Sequence, residues 1–152
     1  MTANQQEWIH MVGIAGAGMS GIARVLKEQG SKVSGSDLQK NGVSSRLEEI
    51  GIQIYEGHHS SNIQEGVDLL VISSAVPPEN IEVKTAIQKG IPVLKRGEML
   101  ARLANASKGI AVAGAHGKTT TTSMVYTVLE QCGVQPTYIA GGELQDSALN
   151  AH

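Results

Sequence analysis

The sequence predicts an α/β fold built on a parallel sheet, and three features predict it. Short apolar runs alternate with stretches of helical periodicity along the whole chain. Two glycine-rich loops each lie between such a run and a helix. Eighteen glycines against four prolines, with a 41% hydrophobic share of 152 residues, describe a glycine-turned globular chain. Strands alternating with helices of this length give β-α-β units, a parallel sheet and right-handed crossovers.

The elements follow in order. "WIHMVGI" (8–14) is a mostly apolar run that stops at glycine, as a buried parallel strand does. "GMSGIARVLKEQG" (18–30) sets Ile22, Val25 and Leu26 on one helical face and ends at Gly30. "KVSGSD" (32–37) reads as a second strand, "VSSRLEEIG" (43–51) as a helix closed by Gly51, and "IQIY" (52–55) as a third strand. "VDLLVIS" (67–73) is the strongest strand of the chain. "NIEVKTAIQKG" (80–90) is a helix, "IPVL" (91–94) a strand and "GEMLARLAN" (97–105) a helix. A second glycine-loop unit then comprises strand 108–114, helix 118–133 and strand 137–142, with "ANASKG" (104–109) as the small, polar boundary before it. Two domains are therefore expected, 1–107 and 108–152.

Composition removes several classes of function. A net charge of −2 leaves no basic surface for nucleic acid or anionic lipid. The single Cys132 excludes an internal disulfide and fits a reducing compartment. No targeting segment opens the chain and no apolar stretch reaches membrane-spanning length, so a soluble, cytoplasmic protein is expected. With no Phe and one Trp, the core falls to Ile, Val, Leu and Ala.

The first chemical constellation is Gly16-Ala17-Gly18-Met19-Ser20-Gly21, a G-x-G-x-x-G that follows a strand and opens a helix. Gly16 permits a tight turn, Gly18 lets backbone N–H groups approach a diphosphate, and Gly21 allows close helix–strand packing. Asp37 ends the second strand about where a carboxylate for ribose hydroxyls is expected, ~20 residues on. This motif marks a diphosphate without naming the nucleotide: NAD, FAD and nucleotide-sugars use the same geometry. The second constellation is Gly114-Ala115-His116-Gly117-Lys118-Thr119, a shortened phosphate loop with Val112 where the standard pattern carries its first glycine. Its N–H groups offer an anion nest at a helix start, Lys118 reaches terminal phosphates, and the Thr119 hydroxyl is the candidate Mg²⁺ ligand. Thr120 and the threonines after it are poor helix formers that serve as caps or phosphate contacts there.

Two nucleotide loops in this order resemble the Mur ligases of peptidoglycan synthesis. The residues that carry the resemblance are "HMVGIAGAGMSGIA" (10–23), "VSGSD" (33–37), "VISSAVPPENIEV" (71–83), "GIPVLKRGEML" (90–100) and "IAVAGAHGKTTTTSM" (110–124), spread over almost the whole chain. The resemblance implies a Rossmann-like, parallel-sheet domain for a UDP-sugar, followed by the first β-α-β of a P-loop ATPase domain. It assigns Gly16, Ala17, Gly18, Met19 and Ser20 to the UDP diphosphate, and Ser36 and Asp37 toward the nucleoside. Ser73, Ser74 and Ala75, at the end of the strongest strand, and Arg96 join the same ligand. It assigns Gly114, Ala115, His116, Gly117, Lys118, Thr119 and Thr120 to ATP, with Lys118 as the catalytic group and Mg²⁺ on Thr119. Ala15 and Ala115 stand where the family usually has glycine and threonine.

The implied reaction is ATP-dependent amide formation on UDP-N-acetylmuramate in the bacterial cytoplasm, with L-alanine as the incoming amine. The alternatives are joining a recycled murein tripeptide to the same sugar, a NAD-dependent oxidoreductase, which leaves the second loop unexplained, and a UDP-sugar-binding module without catalysis. The carboxylates that complete metal binding and the amino-acid domain are expected beyond His152, so the chain reads as the front part of an enzyme, inactive alone. Its 108–152 segment, lacking neighbours, is expected to pack irregularly on the first domain, to pair with another copy of itself through open sheet edges, or to stay mobile. His58 and His59 read as surface or ligand-edge histidines, His116 as a loop histidine, and Cys132 as a packing residue.

Overall fold

The computed structural model describes residues 6–16, 18–106 and 108–139. Five strands, β1 (Trp8–Val12), β2 (Lys32–Asp37), β3 (Gln53–Glu56), β4 (Leu69–Ile72) and β5 (Val93–Lys95), form one sheet in the order β3-β2-β1-β4-β5. Every pairing is parallel, with His10 opposite Ser34 and Leu70, and Leu70 opposite Val93. The helices are α1 (Met19–Glu28), α2 (Gly42–Glu49), α3 (Ile81–Gln88), α4 (Arg96–Asn105) and α5 (Lys118–Gln131), with a 3₁₀ turn at Ser60–Asn62.

Alternation along the strands sorts the two faces. Ile9, Met11, Leu69 and Val71 face one way and bury against Ile22, Val25 and Leu26 of α1, Leu47 of α2, and Met99 and Leu103 of α4. Each fully buried side chain of this kind contributes about 1.5–3 kcal/mol. Val12 and Leu70 face the other way, onto Val83 and Ala86 of α3 and Ile63. The sheet grows outward from β1 in both directions, and the change of direction coincides with the change of face, as right-handed crossovers require. Helices therefore leave β1 and β4, two adjacent strands, toward opposite sides. That divergence opens a crevice at their carboxyl ends, where open α/β sheets hold ligands.

Local chemistry sets the boundaries. β1 stops at Gly13, whose φ of +76° suits glycine alone, so the strand is two residues shorter than its apolar run. Asn41 caps α2 by accepting from the N–H groups of Val43 and Ser44, and Asn80 caps α3 by accepting from Glu82 and Val83.

The second glycine-loop unit departs from expectation. Helix α5 forms, but residues 108–114 are not a strand: the sheet ends at β5, and a strand exists only where a neighbour shares its hydrogen bonds. Residues 137–139 are likewise not a strand, and 140–142 lie outside the described residues. No side chain of α5 is fully buried, and Ile110, Met124 and Val128 are largely exposed. Ile139 is the apolar residue of this segment that packs on the first core.

Candidate functional site at the carboxyl edge of the sheet

The loop after β1 is held by the end of β2. Gly13 and Ile14 donate their N–H groups to the Ser36 carbonyl at 2.8 and 3.1 Å, and Ala15 donates to Asp37 Oδ2 at 2.9 Å. Asp37 Oδ1 meanwhile accepts from Leu38. The chain then turns through Gly16, whose carbonyl accepts from Met19 and Ser20, and enters α1 at Gly18, with φ +79°. No side chain caps this helix, so its positive end is left to the loop and to whatever binds there.

Three connections meet at this edge. A Cβ on Gly13 would stand 3.0 Å from the Cβ of Ser73, so the loop after β4 touches the loop after β1. A Cβ on Gly18 would stand 2.9 Å from Nη1 of Arg96, which places the guanidinium against the start of α1. Arg96 opens α4 directly after β5, and the junction is held by Lys95 N–H donating to Glu98 Oε2 at 2.6 Å. A cation and the positive end of a helix thus converge on one spot. That arrangement suits a multiply charged anion between them.

The sequence-derived candidates separate on inspection. Gly16, Gly18, Ser20, Asp37, Ser73 and Arg96 come together, with Ser74 and Ala75 exposed on the adjoining loop. Met19 sends its side chain into the core and offers the edge only its backbone. Ser36 is not turned toward a ligand: its side chain is fully buried and its hydroxyl donates to Glu82, leaving its carbonyl to shape the loop. Asp37 has each carboxylate oxygen engaged by a backbone N–H, so it orders the turn. Gly21 does not make the close helix–strand approach expected of it, since a Cβ there would meet only Ile139 at 3.9 Å. Gly35 does instead, with Ile14 Cδ1 at 2.5 Å and the Met11 carbonyl oxygen at 2.6 Å from a Cβ. Ala17 lies outside the described residues.

Around the second loop, Gly114, Ala115, His116, Gly117, Lys118, Thr119 and Thr120 are all exposed. Gly117, with φ +76°, is the N-cap of α5 and no side chain caps the helix. Lys118 Nζ donates back to the carbonyls of Gly114 and Ala115 at 2.6 and 3.2 Å. Among the described residues, no cluster of three His, Cys, Asp or Glu side chains is placed to hold a metal. Cys132 is exposed, so it is not the packing residue expected.

The sequence reading passed over a polar cluster under the site. His10, Ser34, Ser36, Asn62 and Glu82 are all buried. His58, expected as a surface or ligand-edge histidine, is half-buried beside Glu82, with Nδ1 at 3.3 Å from Oε2, whereas His59 is exposed. Burial drives the His10 pKa down from 6.5 to about 4, against the opposing pull of Glu82 and with a smaller lowering from His58. The available signal was period two: His10 in β1 and Ser34 and Ser36 in β2 share one face, a polar row in the buried middle of the sheet.

Comparison with known proteins agrees with this architecture. The family model described as "Mur ligase family, catalytic domain" matches residues 8–121. The chain belongs to the Mur ligase family. It is 72% identical over 145 residues to the UDP-N-acetylmuramate–L-alanine ligase of Syntrophomonas wolfei, covering 95% of this chain and 31% of that protein. It is 51% identical to the ligase of the same name from Desulforamulus reducens, covering 94% of this chain and 31% of that protein. The chain thus spans under a third of the length of these relatives. Among solved Mur ligases, the UDP-N-acetylmuramate–alanine ligase of Thermotoga maritima superposes with a TM-score of 0.76 at 34% identity, over 82% of this chain and 29% of that one. The UDP-N-acetylmuramate:L-alanyl-γ-D-glutamyl-meso-diaminopimelate ligase of Neisseria meningitides superposes with a TM-score of 0.81 at 35% identity, over 90% of this chain and 43% of that one. Among the described residues, no helix of this Mur ligase chain is long and apolar enough to cross a membrane.

Proposed function

We propose that this chain carries the UDP-sugar-binding part, and the loop for ATP, of a cytoplasmic bacterial ligase that joins L-alanine to UDP-N-acetylmuramate. The observation that carries the reading is the convergence of Arg96 and the uncapped start of α1 on Gly18. The diphosphate of the sugar nucleotide fills that place: backbone N–H groups and a guanidinium balance its charge, and the absence of a side chain at Gly18 lets it approach. Ser73, Ser74 and Ala75 border it from β4, and the Asp37 turn supports the nucleoside end. The 72% and 51% identities to ligases named for L-alanine support the amine assigned.

In the reaction so assigned, ATP phosphorylates the muramoyl carboxylate, the amine of L-alanine attacks the acyl phosphate, and ADP and phosphate leave. The residues at 114–120 fit a triphosphate in their donor chemistry: an uncapped helix start, an exposed ammonium at Lys118 and exposed threonine hydroxyls. Lys118 turns from the loop carbonyls toward the transferring phosphoryl group and balances the charge that develops there. Thr119, through its exposed hydroxyl, would help hold Mg²⁺, which would supply neutralisation of phosphate charge.

Calorimetric titration of UDP-N-acetylmuramate into the wild-type chain and Gly18→Val, with NADH as control, tests the sugar-nucleotide site. The variant places a side chain at a positive φ and against Arg96, so binding should be lost while circular dichroism stays near wild type. Equal affinities for the two proteins, or preferential binding of NADH, would sink the assignment.

A further inference from the structure

The buried polar cluster is joined to the candidate site through one residue that no motif indicated. Glu82, in the first turn of α3, is completely buried. Its Oε2 accepts the Ser36 hydroxyl at 2.6 Å and its Oε1 accepts from the Asn62 amide. Ser36 has one hydroxyl proton and gives it to Glu82. The 3.1 Å contact between Ser36 Oγ and His58 Nδ1 therefore runs from the ring N–H to the hydroxyl. The same Nδ1–H stands 3.3 Å from Glu82 Oε2.

On the far side, Trp8 Nε1–H donates to Ser34 Oγ and His10 Nδ1 lies 2.9 Å from that oxygen. The neutral His10 ring then keeps its hydrogen on Nε2, 4.0 Å from Glu82 Oε1, since the other tautomer would set a lone pair against the carboxylate. That nitrogen has no hydrogen-bond partner. All four groups facing Glu82 are donors, so only a side chain that accepts at both oxygens satisfies the cluster.

The donors and the acid come from separate connections of the carboxyl edge. Ser36 is the penultimate residue of β2, and its carbonyl carries the N–H groups of Gly13 and Ile14. His58 and Asn62 belong to the β3–β4 connection, and Glu82 heads the helix that follows the Ser73–Asn80 loop. We propose that Glu82 is a positioning residue for the sugar nucleotide, its carboxylate locking these three connections into one preorganised edge. The inference rests on the reading of that edge as the UDP-sugar site. Preorganisation of this kind strengthens binding by removing the ordering cost from the binding step.

The test uses the whole 152-residue chain. Glu82→Gln keeps the shape but sets an N–H₂ against a donor; Ser36→Ala keeps the carboxylate and cuts its link to the glycine loop. Amide hydrogen exchange at Gly13 and Ile14, with calorimetry using UDP-N-acetylmuramate, is read in each. In both variants these amides should exchange roughly tenfold faster, while amides in the middle of β1 and β4 keep their protection, and affinity should fall roughly tenfold. Uniform loss of protection across the sheet would reveal a merely structural role and overturn the proposal. So would unchanged exchange at Gly13 and Ile14, or faster exchange with unaltered affinity. If Glu82→Gln does not fold, Ser36→Ala decides. Failure of wild type to bind the sugar nucleotide would overturn the site reading and the ligand role together, with the exchange data still showing whether Glu82 orders the loop.

Discussion

Replacing His10 by phenylalanine should flatten the acid limb of the stability curve. His10 is fully buried in β1, and burial lowers its pKa from 6.5 to about 4. The unfolded chain takes up a proton at this residue below about pH 6.5. The folded chain resists until about pH 4. Between those values the unfolded state binds more protons, so stability falls as the pH falls; below the window both states are protonated and this residue causes no further loss. At about 1.4 kcal/mol per pH unit, the whole window corresponds to about 3 kcal/mol. Phenylalanine keeps a ring of similar size but cannot titrate. It also removes the partner of Ser34, which displaces the whole curve without changing its slope. Urea unfolding of both proteins, from about pH 7 to about pH 4, provides the measurement. Other acid-sensitive groups are common to both and cancel to first order. Wild type should lose about 3 kcal/mol more than the variant across the window. Parallel curves would refute the burial argument for His10.

Two further expectations concern the loops. Gly35→Ala places a methyl 2.5 Å from Ile14 Cδ1 and 2.6 Å from the Met11 carbonyl oxygen, and the backbone atom cannot yield. Stability should fall by about 1–3 kcal/mol, and an unchanged denaturant midpoint would show that the strand accommodates it. On the proposed reading, in which the two loops serve different ligands, Lys118→Ala in a full-length ligase should lower phosphoryl transfer by roughly 10²-fold or more while leaving UDP-sugar affinity near wild type. Substantial turnover by that variant would remove Lys118 from the reaction.

The alternation of apolar runs and helical stretches sufficed for the first five strands and four helices. Each of those segments buries an apolar face, and that demand is written in the period of its own residues. The glycine loop was legible for the same kind of reason, since a positive φ at Gly18 or Gly13 is a local requirement. Arg96 was legible only as a charge in a resemblance, because its place near the loop after β1 depends on β5 pairing with β4, which in turn pairs with β1.

By itself, the sequence determined the parallel α/β class, the first glycine-rich turn into α1 and the helix that opens at Lys118. Tertiary structure decided the rest. It withheld the strand expected at 108–114, because strand pairing needs two segments and none among the described residues pairs there. It turned Ser36 inward and made Asp37 a brace for Ala15, because an oxygen close to an N–H or a buried acid is used there before it can face solvent. It also assembled His10, Ser36, His58, Asn62 and Glu82 from segments far apart in the chain. Local periodicity records which face a residue occupies; which partners meet it on that face is settled only when the strands are ordered and the helices laid across them.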